Sequence, residues 1–200
     1  MFRLLHIDSS ARPGRSGEQP HGSHTRRLST RFVRQWLPRR PQDAVIHRDL
    51  ALSPPTPVTG EWVHAAFTAP PQRAAWMQAV LAESDALVEE LISADLIVIG
   101  VPMYNFGMPS TLKAWIDNIV RVGRTFGFDR SRVGEPYWPL LAEQGKRLVV
   151  LGSRDDHGYG GGGRLAVQAL LQVVEAHHQI AVAYQQLAVD HRLEIRRGQD

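Results

Sequence analysis

The chain has 200 residues, 43% of them apolar and 22% charged, with a formal net charge of +3. That length suits one domain of ordinary size. The lack of cysteine excludes disulfides, iron–sulfur clusters and thiol catalysis, so any redox chemistry must reside on a bound cofactor.

No apolar run is long enough to span a bilayer. Asp8 and a turn-rich stretch follow the first apolar run, which is not a secretory-signal pattern; a cytoplasmic protein without a membrane partner is expected. Arginines crowd the N-terminal quarter, among them Arg26, Arg27, Arg31, Arg34, Arg39 and Arg40. They read as a solvated helix face. No zinc-finger or RNP-type motif and no aromatic ladder accompanies them, so no nucleic-acid partner is expected.

Residues 3–8 read as a first strand. A Ser-, Gly- and Pro-rich loop follows. Ser23 then offers an N-cap to a helix with Leu28, Phe32, Val33 and Trp36 on one face. Pro38 and Pro41 end that helix, and residues 44–47 form a weaker second strand. Residues 52–59 are proline-rich and irregular. Helical spacing returns through Trp76, Val80, Leu81, Leu87, Val88, Leu91 and Ile92.

Residues 95–100 are the clearest strand, apolar on both faces as a central parallel strand should be. A loop leads to Pro109, placed for the first turn of a helix whose stripe is Leu112, Trp115, Ile116, Ile119 and Val120. Residues 125–145 have no clear period. A fourth strand at 147–152, a glycine-rich loop, a helix near 164–178 and a fifth strand at 180–184 complete the pattern. Repeated strand–helix alternation implies a doubly wound parallel sheet with helices on both faces, in one domain over residues 1–200. Ligands of such sheets bind beyond the carboxyl ends of the strands. Three loops therefore matter: residues 9–25, 102–109 and 153–163.

The first loop carries hydroxyls at Ser9, Ser10, Ser23 and Thr25 beside a helix start, where free N–H groups and the helix dipole favour phosphate. Without a Walker lysine it suits a monophosphate such as that of FMN. An ordinary N-cap with a polar loop reads the same way. The second loop, Pro102, Met103, Tyr104, Asn105, Phe106, Gly107, Met108 and Pro109, supplies aromatic and apolar walls and an amide for a flat heteroaromatic ring. The third contains a G-x-G-x-x-G match at Gly158, Gly160 and Gly163. It follows the wrong strand and lacks the acidic residue of a dinucleotide fingerprint.

These residues resemble the FMN-dependent NADH-azoreductase group of flavodoxin-like quinone reductases. The resemblance is strongest from Pro102 through Asp117 and on through Arg121 to Phe126, and extends to the segment from Ser23 to Ser29. It implies a flavodoxin-like sheet of five strands in the order 2-1-3-4-5. It implies that Ser10, Ser23, His24 and Thr25 hold the phosphate of non-covalent FMN, and that Pro102, Met103, Tyr104, Asn105 and Phe106 hold its ring system. Ser153 and Arg154, followed by Asp155 and Asp156, match the segment lying along the flavin. The family commonly has two glycines where this chain has the aspartates.

The implied activity is two-electron, ping-pong hydride transfer from NADH or NADPH to a quinone or azo compound. A flavodoxin-type electron carrier and a catalytically silent FMN-binding protein are the alternatives. The implied assembly is a homodimer, with Phe126 and Phe128 in the segment that crosses the interface. His157, in the third loop, is the residue best placed for substrate contact or proton donation. His6 reads simply as part of the first strand, and Trp115 as core. No H-E-x-x-H or similar spacing occurs, so no metal is expected.

Overall fold

The structure, a computed structural model, describes residues 1–153. The glycine-rich loop, the last helix and the fifth strand expected from the sequence lie outside the described residues. The elements are β1 (Arg3–Asp8), α1 (His24–Trp36), β2 (Ala44–Asp49), α2 (Gly60–Phe67), α3 (Ala75–Ser93), β3 (Leu96–Pro102), α4 (Ser110–Ile119), β4 (Phe126–Phe128), β5 (Tyr137–Pro139) and β6 (Arg147–Ser153).

Four of the strands form a parallel sheet in the order β2-β1-β3-β6. Alternation along each strand divides the side chains between two helical layers. Leu5, Ile7, Ile97 and Ile99 pack with Leu87 and Val88 of α3 and with Leu112, Trp115 and Ile116 of α4. Leu4, Leu96, Val98 and Leu151 face the other way, against Leu28, Phe32 and Trp36 of α1. Each such burial of a Leu or Ile contributes about 1.5–3 kcal/mol. The loop after β1 therefore rises to one face and the loop after β3 to the other, which opens a crevice at the carboxyl ends of these neighbouring strands.

Some boundaries differ from the sequence reading. Thr59 caps α2 by accepting from the N–H of Trp62, a helix that no apolar period announces. Pro109 is the N-cap of α4 rather than part of its first turn. Val120 lies past that helix and, like Trp76 on α3, is exposed. The stretch without a period contains an antiparallel hairpin, β4–β5, in which Phe128 stacks on Tyr137 at 4.8 Å between ring centroids. No helix among the described residues is long and apolar enough to cross a membrane.

Candidate active site at the carboxyl edge of the sheet

The first loop folds tightly on itself before α1 begins. Ser16 N–H donates to Ser23 O and Ser23 N–H donates to Gly14 O, both at 3.1 Å. A Cβ on Gly22 would stand 2.3 Å from the Arg15 backbone, so this crossing of two chain segments requires glycine. Ser23 then caps α1, its Oγ accepting from Arg26 N–H at 3.2 Å and lying 3.0 Å from Thr25 Oγ1. Ser10, Ser23 and Thr25 are buried, and His24 is exposed. The helix start also presses on the sheet: a Cβ on Gly100 would meet Thr25 O at 3.2 Å.

The second loop is a two-residue reversal. Tyr104 and Gly107 exchange both backbone hydrogen bonds at 2.9 Å. Asn105 has φ 48° and Phe106 φ 64°, the paired left-handed conformations of a type I′ turn. Asparagine tolerates this region; a bulky phenylalanine does so at a cost. Strain of about 1–2 kcal/mol at Phe106 is the expected magnitude. The turn holds Phe106 outward, 74% exposed, beside an exposed Asn105. Pro102 is buried at the end of β3, while Met103 and Tyr104 are partly covered.

Hydrogen bonds tie the loops together. Tyr104 Oη lies 3.2 Å from Ser10 Oγ and accepts from Ala11 N–H at 3.1 Å. Met103 N–H donates to Ser153 O at 2.9 Å, where β3 and β6 end side by side. The Ser10 hydroxyl of the first loop thus meets an aromatic turn at one sheet edge. Phe126 and Phe128 are half-buried on the β4–β5 hairpin. Arg154, Asp155, Asp156 and His157 lie outside the described residues.

The support beneath the first loop is not evident from the sequence. Arg26 is only 8% exposed; it is not part of a solvated face. Its Nη1 and Nη2 donate to the two carboxylate oxygens of Asp49 at 2.5 and 2.7 Å. Nη2 also donates to Ser10 O at 2.8 Å, and Nε to Arg12 O at 2.9 Å. One guanidinium therefore fixes two carbonyls of the loop and anchors them to the end of β2. The Asp49 bond raises the Arg26 pKa above its ordinary value. Burial pushes Asp49 up, but Arg26 together with the Ala51 and Leu52 N–H groups more than offsets this and holds it below the usual carboxylate range.

Asp8, at the end of β1, accepts from Ser29 Oγ at 2.8 Å and lies 3.0 Å from His47 Nε2. Burial raises its pKa, but the hydrogen bond with His47, the nearby His6 imidazole and the Ser29 hydroxyl bring it well below the usual range. The signal that could have exposed this network is that β1 and β2 both end in aspartate, and parallel register sets the two side by side.

Hydroxyls and a helix N-terminus at one end, with an aromatic turn at the other, define a sheet-edge site suited to a phosphorylated planar ligand. The chain belongs to the family whose model, described as "Flavodoxin-like fold", matches residues 3–184. It is 38% identical to "FMN-dependent NADH:quinone oxidoreductase 2" of Idiomarina loihiensis, across 100% of this chain and 87% of that protein. It is 46% identical to "FMN-dependent NAD(P)H:quinone oxidoreductase 1" of Pseudomonas aeruginosa, across 82% of this chain and 73% of that one. A solved azoreductase from Bacillus anthracis superposes with a TM-score of 0.75 over 99% of this chain and 95% of its own, at 20% identity. That likeness supports the fold.

Proposed function

We propose that this chain binds one FMN without a covalent bond and passes hydride from NADH or NADPH to a quinone or azo compound. The observation that carries the reading is the hydrogen bonding of Tyr104 to Ser10 and Ala11. It closes the first loop, which leads into the hydroxyl-lined start of α1, against an aromatic turn, a shape that suits a phosphate at one end and a flat ring at the other. FMN, when bound, supplies the hydride-accepting and hydride-donating ring.

The protein's own residues do the positioning. Ser10, Ser23, His24 and Thr25 would receive the phosphate. Pro102, Met103, Tyr104, Asn105 and Phe106 would hold the ring, with Ser153, Arg154, Asp155 and Asp156 along its edge. His157 would meet the acceptor. Donor and acceptor would use the site in turn, a ping-pong order. We read the chain as a single FMN-binding domain in the cytoplasm, with a fifth strand at residues 180–184 beside β6. We read the assembly as a homodimer in which Phe126 and Phe128 reach the partner.

The test is flavin titration followed by NADH and NADPH oxidation with a quinone and an azo dye. The expected result is tight FMN binding, then steady turnover that stops when either donor or acceptor is withheld. Failure to bind FMN would remove the proposal. Binding without nicotinamide oxidation would reduce it to a flavin carrier or binding protein.

A further inference from the structure

His6 and His47 are direct register partners on β1 and β2. Side chains paired this way point to the same face, and the two imidazoles stack with centroids 4.6 Å apart. Asp8 lies two residues further along the same face. One ligand atom from each of His6, Asp8 and His47 falls within 4.8 Å of the other two.

His6 Nε2 is the unusual atom. The His6 side chain is only 8% exposed, and Nε2 lies 3.5 Å from Asp8 Oδ1. That is ion-pair range but not hydrogen-bond geometry, and Nε2 has no hydrogen-bond partner. A buried imidazole nitrogen without a partner costs about 1–3 kcal/mol. It is aimed into the same cluster as the other two groups.

We propose that His6, Asp8 and His47 form a binding site for a zinc-type divalent transition ion. Two imidazole nitrogens and one carboxylate oxygen are the donor set that zinc takes with a fourth, open position. The hard ions calcium and magnesium prefer oxygen alone. Zinc bonds of about 2.0–2.1 Å place tetrahedral ligand atoms about 3.3 Å apart. The present atoms approach that spacing, and His47, with half its side chain exposed, can rotate to close the set. β2 is the outer strand of the described sheet, so the ion enters from its flank.

Support and opposition are both visible. Ser29 Oγ orients Asp8 by donating to Oδ1 at 2.8 Å, as outer partners of ligating carboxylates do. Arg26 Nη1 stands 3.6 Å from Asp8 Oδ2 and repels a cation. Its charge is largely matched by bidentate pairing to Asp49. The expected affinity is therefore micromolar rather than nanomolar. Motif spacing misses this set because Asp8 and His47 are 39 positions apart and only the sheet register unites them.

The test uses the purified full chain, stripped with a chelator and dialysed. Zinc is titrated in competition with a chromogenic chelator, and cobalt is added separately for its visible spectrum. The expected result is one zinc per chain and the intense absorption of tetrahedral cobalt. His47→Gln, a half-exposed position that leaves the core intact, should weaken zinc about 100-fold and abolish the cobalt spectrum. His6→Gln should do the same if circular dichroism shows it folded. A His177→Gln/His178→Gln double variant should keep both signals. No zinc at one equivalent, or zinc and cobalt signals unchanged in His47→Gln, would overturn the site.

Discussion

Arg26 and Arg121 are both buried, yet they sit in opposite electrostatic states at two different places in the molecule. Arg26 lies at the start of α1. It has a bidentate carboxylate, and two loop carbonyls accept its remaining hydrogen bonds. Arg121 lies just past α4 and is 0% exposed. Its Nη1 donates to Ser84 Oγ at 2.6 Å, and its guanidinium sits 5.4 Å over the Trp62 ring. Its Nη2 is 3.1 Å from Asp85 Oδ1 but off hydrogen-bond geometry, and Nε has no partner. Pairing raises the Arg26 pKa, whereas burial lowers that of Arg121. The difference separates a cation that builds a site from one that merely occupies a junction of α2, α3 and α4. A buried ion pair stabilises only when its geometry is complete.

The largest expected effect follows from removing the complete pair. Arg26→Met strands the largely covered Asp49 carboxylate, whose side chain is 13% exposed, and frees the Ser10 and Arg12 carbonyls. The expected loss of stability is about 3–5 kcal/mol, read by urea unfolding. FMN affinity should fall about 100-fold, since the loop that would hold the phosphate loses its anchor. Unchanged flavin affinity in a folded variant would break the comparison.

The pair also carries a pH signature. The folded pKa of Asp49 lies below its ordinary value of 3.8. Its contribution is therefore fully present above about pH 4 and is lost as pH falls through the folded pKa. Asp49→Asn should cost about 2–3 kcal/mol near neutrality. The deficit relative to the parent should shrink as pH drops below about 4. Urea midpoints measured across that window check the sign; a deficit that grows on acidification would assign the stability elsewhere.

Much of this was readable in the chain, and what escaped did so for physical reasons. β3 is legible because a buried parallel strand must be apolar on both faces. Ser23 is legible because a hydroxyl just before an apolar period is a cap. Arg26 is not, because its neighbours Arg27 and Arg31 make it look like part of a solvated stripe. Only the register that sets Asp8 beside Asp49 gives it a buried partner. The second loop announces its chemistry but not its geometry, since phenylalanine is no turn former. The three-residue strands β4 and β5 are too short to show a period.

The strained turn offers a smaller test. Phe106→Gly removes the side-chain clash of the left-handed conformation while leaving the turn formed. Stability should rise by about 1 kcal/mol. If the strain serves to present the ring, affinity for FMN or the acceptor should fall. A variant that is both more stable and fully active would show that the exposed Phe106 has no share in the site.

Arg121 should give the smallest effect, and the sign is the informative part. Replacing it by methionine retains much of the packing against Trp62 and removes a desolvated charge whose pKa burial already depresses. Asp85, with 40% of its side chain exposed, returns to water instead of being stranded. Ser84 Oγ keeps its bond to Asn118 O at 2.6 Å. Stability should therefore change by less than about 1 kcal/mol in either direction, with flavin affinity unaltered. A loss as large as that of Arg26→Met would mean that Arg121 is anchored as firmly as its counterpart, and the contrast between an assembled pair and an incomplete one would fail.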